Sequence, residues 1–369
     1  MAVRKRVAVS TQMSVRRIDK SAIIFCRVID YFGDAGFCWR LSLALLGQGF
    51  GQVVLVTDQL LVVKQLRGAD GPNRVEVLDW DRAVADWGKG GVSRRYRSAL
   101  VLEAFGCAAP DALVRNLLPQ AQWITLDHLA TESWADHVHA AQSPHPIVLS
   151  AAARRWFVPG FSAKTGGLVH GHWRHISSNE RDAWRSKLVG YPIGRDTFLV
   201  LAFGYGDAQW PQLEEAMAQI LPKGFKKAEV WKPRGLDYSQ EEFDEILQAC
   251  DLNFVRGEDS FVRAHWAAAG PWQVPFVWQP YRQAANAHAE KLAGWVEQML
   301  NEAHFQPLRD FHWAWNRLPP SGGATALDFD RAWALFCRSY TRIRLGLSKN
   351  CGSLALEPSL EARLRALMG

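Results

Sequence analysis

The chain reads as an α/β protein of two Rossmann-like, doubly wound domains facing a cleft, and three observations lead there. Short apolar, β-branched runs alternate with stretches whose apolar residues recur at helical spacing, the pattern of parallel strands joined by crossover helices. The alternation occurs twice, on either side of a stretch near residues 155–185 that glycine and proline interrupt. A length of 369 residues also exceeds what one hydrophobic core usually serves.

The first series opens with IIFCRVID from Ile23, a strand, followed by the glycine turn YFGDAG and the helical CWRLSLALLGQGF. Further strand runs are VVLVTD (53–58), VEVLDW (75–80) and ALVLEAF (99–105). The segment WFVPGFSAKTGGLVHG, with Pro159, Gly160, Gly166 and Gly167, breaks regular structure and is read as the connection between domains. A second series then runs through DTFLVLAFGY, AEVWKP, DLNFVRG and PFVWQPY, with the amphipathic HAEKLAGWVEQML after it. Two closing helical patterns, DFDRAWALFCRSYTRIRLGL and SLEARLRALMG, follow no new strand. The expected organisation is a basic disordered arm over 1–20, an N-terminal domain over 21–170 and a C-terminal domain over 171–347. A last helix over 348–369 is expected to pack back on the first domain.

Composition narrows the function classes. Hydrophobic residues at 48% and charged residues at 22% are the balance of a globular chain, not of a disordered or collagen-like one. No apolar run approaches the roughly 20 residues that cross a bilayer, and the N-terminus lacks the apolar core of a secretory signal, so a soluble protein is expected. Cys26, Cys38, Cys107, Cys250, Cys337 and Cys351 are scattered without a CxxC pair, which argues against structural zinc and a disulfide framework. The net charge of +6 favours an acidic partner: nucleic acid, a phosphorylated metabolite or an acidic protein. Much of that excess is local, since Arg4, Lys5, Arg6, Arg16, Arg17 and Lys20 crowd the arm against Asp19 alone. A transit peptide shares this composition, so composition alone leaves localisation open. The histidines show no metal spacing, and neither a GxSxG nor a P-loop pattern occurs. Gly33-x-x-Gly36 lacks the first glycine of a dinucleotide fingerprint, which weakens a dehydrogenase reading.

Two constellations can carry chemistry. Asp30 and Asp34 flank Gly33 at the carboxyl end of the first strand, where open α/β sheets place ligands; equally, Asp34 caps the following helix and Asp30 stabilises the turn. In DLNFVRGEDSFVR (251–263), a strand ends at Val255 and Arg256-Gly257-Glu258-Asp259-Ser260 opens a helix. Free amides, the Ser260 hydroxyl and the Arg256 charge suit a diphosphate; the alternative is an ordinary cap with a surface ion pair. Phe203, Tyr205 and Tyr281 follow strands, where rings either sandwich a pyrimidine or fill core. B-type glycosyltransferases share this architecture with epimerases and several binding proteins, so fold alone does not decide function.

Taken together, IFCRVIDYFGDAGFCWRL and LNFVRGEDSFVRA resemble the two most distinctive stretches of the EarP family, protein-arginine rhamnosyltransferases of bacteria. The likeness extends to VLEAFGCAAP, WITLDHLATESW, FVPGFSAKTGGL and PFVWQPYRQAANAHAEKL, covering nearly the whole chain from Ile23. The arm before Ser21 is extra to it, and AAAGPWQVP is longer than usual. The resemblance implies an inverting, metal-independent transferase of B-type fold that moves rhamnose from dTDP-β-L-rhamnose to an arginine of elongation factor P. It implies no cofactor beyond that co-substrate, no direct nucleic-acid or membrane contact, a monomer, and a cytoplasmic location. Carried over by position, it makes Asp34 the general base, Asp30 the neighbour that holds the acceptor guanidinium, and Glu258 a further essential residue. The donor site falls on Phe203, Tyr205, Gln240, Arg256, Asp259, Ser260 and Tyr281. The rival readings are a same-fold transferase or epimerase on another nucleotide sugar, and a noncatalytic binder of elongation factor P.

Overall fold

Ser21–Cys26 (β1) carries SAIIFC with every residue buried, as a central strand covered on both faces requires. In the computed structural model, which describes residues 20–28, 33–68, 74–91, 99–117, 121–144, 153–206, 209–233, 238–282, 286–320 and 327–369, β1 is an interior strand of a seven-stranded sheet. Its other strands are β2 (Gln52–Thr57), β3 (Val75–Asp79), β4 (Leu100–Ala104), β5 (Gln122–Leu126), β6 (Gln142–Pro144) and β7 (Ala153–Phe157), in the order β3-β2-β1-β4-β5-β7-β6. Among the described residues of this sheet, only the β6–β7 pair is antiparallel. The helices of this half are α1 (Gly33–Gly47), α2 (Leu60–Arg67), α3 (Trp80–Asp86), α4 (Asp111–Leu117) and α5 (Ala135–Val138). Residues 1–19 of the basic arm and Asp30 lie outside the described residues.

The second half starts with α6 (Ser178–Val189), which opens on a reciprocal Ser177–Glu180 capping box and stops at left-handed Gly190. Four parallel strands follow: β8 (Thr197–Ala202), β9 (Lys227–Trp231), β10 (Leu252–Arg256) and β11 (Phe276–Gln279), in the order β11-β10-β8-β9. Around them lie α7 (Trp210–Gln219), α8 (Gln240–Ala249), α9 (Asp259–Ala269), α10 (Ala287–Met299), α11 (Gln306–Asn316) and α12 (Phe329–Ala355), and α13 (Leu360–Ala366) ends the chain's helices. Strand order reverses between β1 and β4 in the first sheet and between β8 and β10 in the second. Open α/β sheets bind ligands at such switch points, beyond the carboxyl ends of the strands. Among the described residues no helix is long and apolar enough to cross a membrane.

Two expectations are corrected. The connecting stretch expected from residue 155 begins later, because Ala153–Phe157 pairs with β5 as β7. The helix expected over 348–369 is two helices. α12 runs on to Ala355, burying Ile343, Leu347 and Cys351 in the core of the second half. Pro358 then disfavours helix at the residue before it, and the Ser359 side chain accepts from Ala362 N at 3.2 Å to start α13. Only α13 returns to the first half, with Leu360 and Leu364 in the cluster that holds Leu41 and Leu45.

Two fully buried histidines make the second core pH-sensitive. His265 donates from Nδ1 to Phe261 O (2.8 Å) while Nε2 accepts from the Trp295 indole (3.0 Å). His312 pairs in the same way with Leu308 O (2.9 Å) and Trp278 N (3.1 Å). Each ring is thus a neutral imidazole whose acceptor nitrogen faces a donor. Burial pushes the two pKa values down to about 3 and about 4 respectively. The unfolded chain therefore binds more protons below about pH 6.5, and stability falls as pH falls. For two such groups the slope reaches about 2–3 kcal/mol per pH unit. Denaturant midpoints measured between pH 7 and 5 should decline; a flat profile would show that these rings accept protons in the folded state.

Candidate active site

The start of α1 and the turn after β10, one from each switch point, border one cleft. After β1, α1 begins at Gly33, so Asp34 sits in its first turn and is only 6% exposed. A carboxylate is favoured there by the unpaired N–H groups of a helix start. After β10, Gly257 turns the chain at φ 60°, a conformation suited to glycine, and α9 begins at Asp259. The Trp278 indole donates to Gly257 O at 2.8 Å and holds this turn.

Two adjoining cavities lie between the halves. One, of about 290 Å³, is lined by Asp34, Phe37, Phe105, His128, Tyr281 and Lys291. The other is lined by Phe203, Tyr205, Phe243, Gln240, Arg256 and Ser260. Gly33, Gly257 and Glu258 border both. The Arg256 guanidinium stands over the Phe203 ring (4.6 Å) and the Tyr205 ring (4.9 Å), and Phe203 packs edgewise on Phe243. Gln240 donates to Gly36 O of α1 at 2.8 Å.

The remaining expected residues are placed as follows. Asp259 borders the second cavity, but its carboxylate takes Arg40 Nε at 2.8 Å and Nη2 at 3.2 Å. The Ser260 hydroxyl folds back, donating to Arg256 O (2.6 Å) and accepting from Arg256 N (3.2 Å). Tyr281 lies on the Asp34 side, 57% exposed, with its ring edge-on to Tyr205. Glu258 accepts from Leu129 N of the first half (2.8 Å) and pairs with Lys291 Nζ (2.7 Å). Both its oxygens are therefore engaged.

Sequence reasoning did not find Arg40, Asp244, His128 or Lys291. Arg40 of α1 reaches Asp244 of α8 at 3.0 Å, and Asp244 also takes Arg263 Nε (2.9 Å) and Nη2 (2.6 Å). Burial opposes the Arg40 charge, but Asp244 and Asp259 outweigh it and raise its pKa. The discoverable sign was an arginine inside the apolar run CWRLSLALL, since buried arginines are paired. His128 stacks on Phe105 with centroids 4.5 Å apart. Its burial is unfavourable to imidazolium, yet Asp127, Glu258 and Asp34 raise its pKa above the usual value. Among the described residues, no group of three His, Cys, Asp or Glu side chains gathers as a metal site.

Two Rossmann-like sheets whose switch points face each other across one cleft are the architecture of the GT-B glycosyltransferases. The family model for Elongation-Factor P (EF-P) rhamnosyltransferase EarP matches residues 22–227 and 235–368. The chain belongs to the EarP family. It is 29% identical to a protein-arginine rhamnosyltransferase of Pseudomonas putida, over 84% of this chain and 88% of that one. Its identity to the Pseudomonas aeruginosa protein of the same name is also 29%, covering 92% and 96%. A solved structure on EarP-mediated arginine glycosylation of translation elongation factor EF-P superimposes with a TM-score of 0.52 at 21% identity, over 92% of this chain and 96% of that one. Arabidopsis thaliana UGT89C1 superimposes at 0.53 and 11% identity, over 95% and 98%; at these identities the likeness is one of fold.

Proposed function

We propose that the protein transfers L-rhamnose from dTDP-β-L-rhamnose to an arginine side chain of elongation factor P, with inversion at the anomeric carbon. The observation that carries this reading is the shared border of the two cavities at Gly33, Gly257 and Glu258: a buried carboxylate, Asp34, lies on one side and the Arg256 turn on the other. The net charge of +6 suits an acidic protein acceptor. A translation factor as acceptor implies a cytoplasmic reaction.

A guanidinium has a pKa above about 12 and is a poor nucleophile, so it must be gripped, desolvated and relieved of a proton as it attacks. Phe37 and Phe105 supply the apolar wall of that cavity and Asp34 the base. Asp30, just upstream, is proposed to share the grip on the guanidinium. As the arginine nitrogen bonds to the anomeric carbon, Asp34 takes its proton and the bond from that carbon to the diphosphate oxygen breaks. Inversion of a β donor gives an α-rhamnosyl arginine. Arg256 and the free amides at the start of α9 receive the charge that grows on the departing nucleoside diphosphate. The rings of Phe203 and Tyr205 would hold thymine. Glu258, with both oxygens taken, shapes the border between the cavities and does not act as a base.

Arg256→Ala removes a charge-assisted contact worth about 1.5–3 kcal/mol, so donor affinity should fall about 10–100-fold in calorimetry. An unchanged affinity would place the nucleotide elsewhere. The reading as a whole is tested by incubating the protein with unmodified elongation factor P and dTDP-β-L-rhamnose and measuring intact mass. A gain of one deoxyhexose on arginine is expected; an unmodified acceptor with intact donor would refute it.

A further inference from the structure

The cleft is bridged at a second place, away from Arg40 and Gln240. The loop Leu129–Thr131 follows β5 and is anchored to the first half, since Ala130 N donates to Pro159 O at 2.9 Å and Ala130 bridges to Gly160. The same loop is held by one face of α10. Thr131 Oγ1 donates to Lys291 O, and Gln298 Nε2 donates to Thr131 O. Between them, at Gly294, a Cβ atom would lie 2.4 Å from Thr131 O and 2.9 Å from Thr131 C. Lys291, Gly294 and Gln298 recur at helical spacing and so share a face. Glycine in a helix interior is unfavourable relative to alanine; here it permits backbone to approach backbone. From this face Lys291 Nζ reaches Glu258 Oε1 at 2.7 Å, while Leu129 N of the clasped loop takes Glu258 Oε2 at 2.8 Å. The Lys291 side chain is 12% exposed and that of Glu258 20%, so the pair is largely desolvated.

We infer that Lys291 is a positioning residue for the transfer. Through the α10 clasp on Leu129–Thr131 it fixes Glu258 at the border of the two cavities only when the halves are closed. Glu258 is held from both sides of the cleft, so opening the cleft releases one of its oxygens and leaves the lysine holding the other. Closure and the shape of the reaction site are then one event, and an open enzyme would bind donor without the geometry to transfer it. The inference rests on the rhamnosyl-transfer reading for its kinetic arm, but not for its structural arm.

Three variants of the full-length protein test it: Lys291→Met, Lys291→Arg and Gly294→Ala. Misplacement of a site by about an ångström costs up to about 100-fold in rate. Lys291→Met and Gly294→Ala should therefore lower kcat for elongation factor P by about 10–100-fold, with the Kd for dTDP-β-L-rhamnose little changed. Lys291→Arg, which keeps the charge beside Glu258, should recover most of the loss. Alanine is the better helix former, so a deficit in Gly294→Ala comes from the added Cβ against the Thr131 backbone and not from a weaker α10. Hydrogen exchange at the Leu129 amide should quicken in Gly294→Ala and Lys291→Met. Parental kcat in Lys291→Met, or equal loss in Lys291→Arg and Lys291→Met, would overturn the inference. If the parent protein fails to glycosylate elongation factor P, the proposed function has failed, and Leu129 exchange alone decides the clasp. Faster exchange in Gly294→Ala sustains it and unchanged exchange refutes it.

Discussion

Asp34→Asn is expected to slow rhamnosyl transfer by about 10²–10⁴-fold, the usual contribution of a positioned general base, while donor affinity stays near that of the parent. The side chain is buried in the first turn of α1, and it borders the cavity of Phe37, Phe105 and His128 but not that of Phe203 and Arg256. Asparagine keeps the volume and still fits a helix start, so the fold is not at risk. What it lacks is a site for the guanidinium proton, and an arginine that cannot shed that proton does not attack. Single-turnover rates at saturating donor isolate the step. A variant that loses donor binding, or transfers at the parental rate, would contradict this division between the cavities.

Asp244→Ala should cost about 3–5 kcal/mol of stability, the range for removing one partner from a buried ion pair. Asp244 accepts from two guanidiniums, those of Arg40 and Arg263, which are 6% and 0% exposed. With the carboxylate gone, Arg40 keeps Asp259, and Arg263 keeps the carbonyls of His170 (2.6 Å) and His172 (3.0 Å). Two almost wholly buried cations would then be left with one carboxylate between them, that of Asp259. Because Arg40 belongs to α1 and Asp244 to α8, the same change also loosens the joint between halves beside the Arg256 cavity. Urea unfolding would report the loss; a shift below about 1 kcal/mol would show that water already screens the cluster.

Much of the fold was legible because its central strands are continuous apolar runs. β1, β2, β4 and β8 are buried on both faces, so their sequences need no alternation to be read as strands. β7 was not legible: ARRWF mixes basic and aromatic residues, and β6 beside it is only three residues long. The two-helix ending was hidden in a different way, since Pro358 breaks a stretch whose helical spacing continues on both sides.

The location of the candidate site was legible for the same reason as the strands. Asp34 opens the helix that follows β1 and the Arg256–Ser260 turn closes β10, and ligands gather beyond such strand ends in parallel sheets. What each side chain touches was not legible. Asp259 meets Arg40 across 219 sequence positions, and Glu258 meets Leu129 across 129. No local pattern records such distant pairings. Lys291 was likewise hidden in an ordinary amphipathic helix, where a lysine most often faces solvent.

A crystal structure of the protein soaked with dTDP-β-L-rhamnose measures most directly whether the two cavities form one reaction site. The diphosphate should lie on Arg256 and the start of α9, with the anomeric carbon turned toward Asp34 across Gly33 and Glu258. A nucleotide sugar bound outside this cleft, or bound within it with the sugar pointing away from Asp34, would contradict the proposed mechanism.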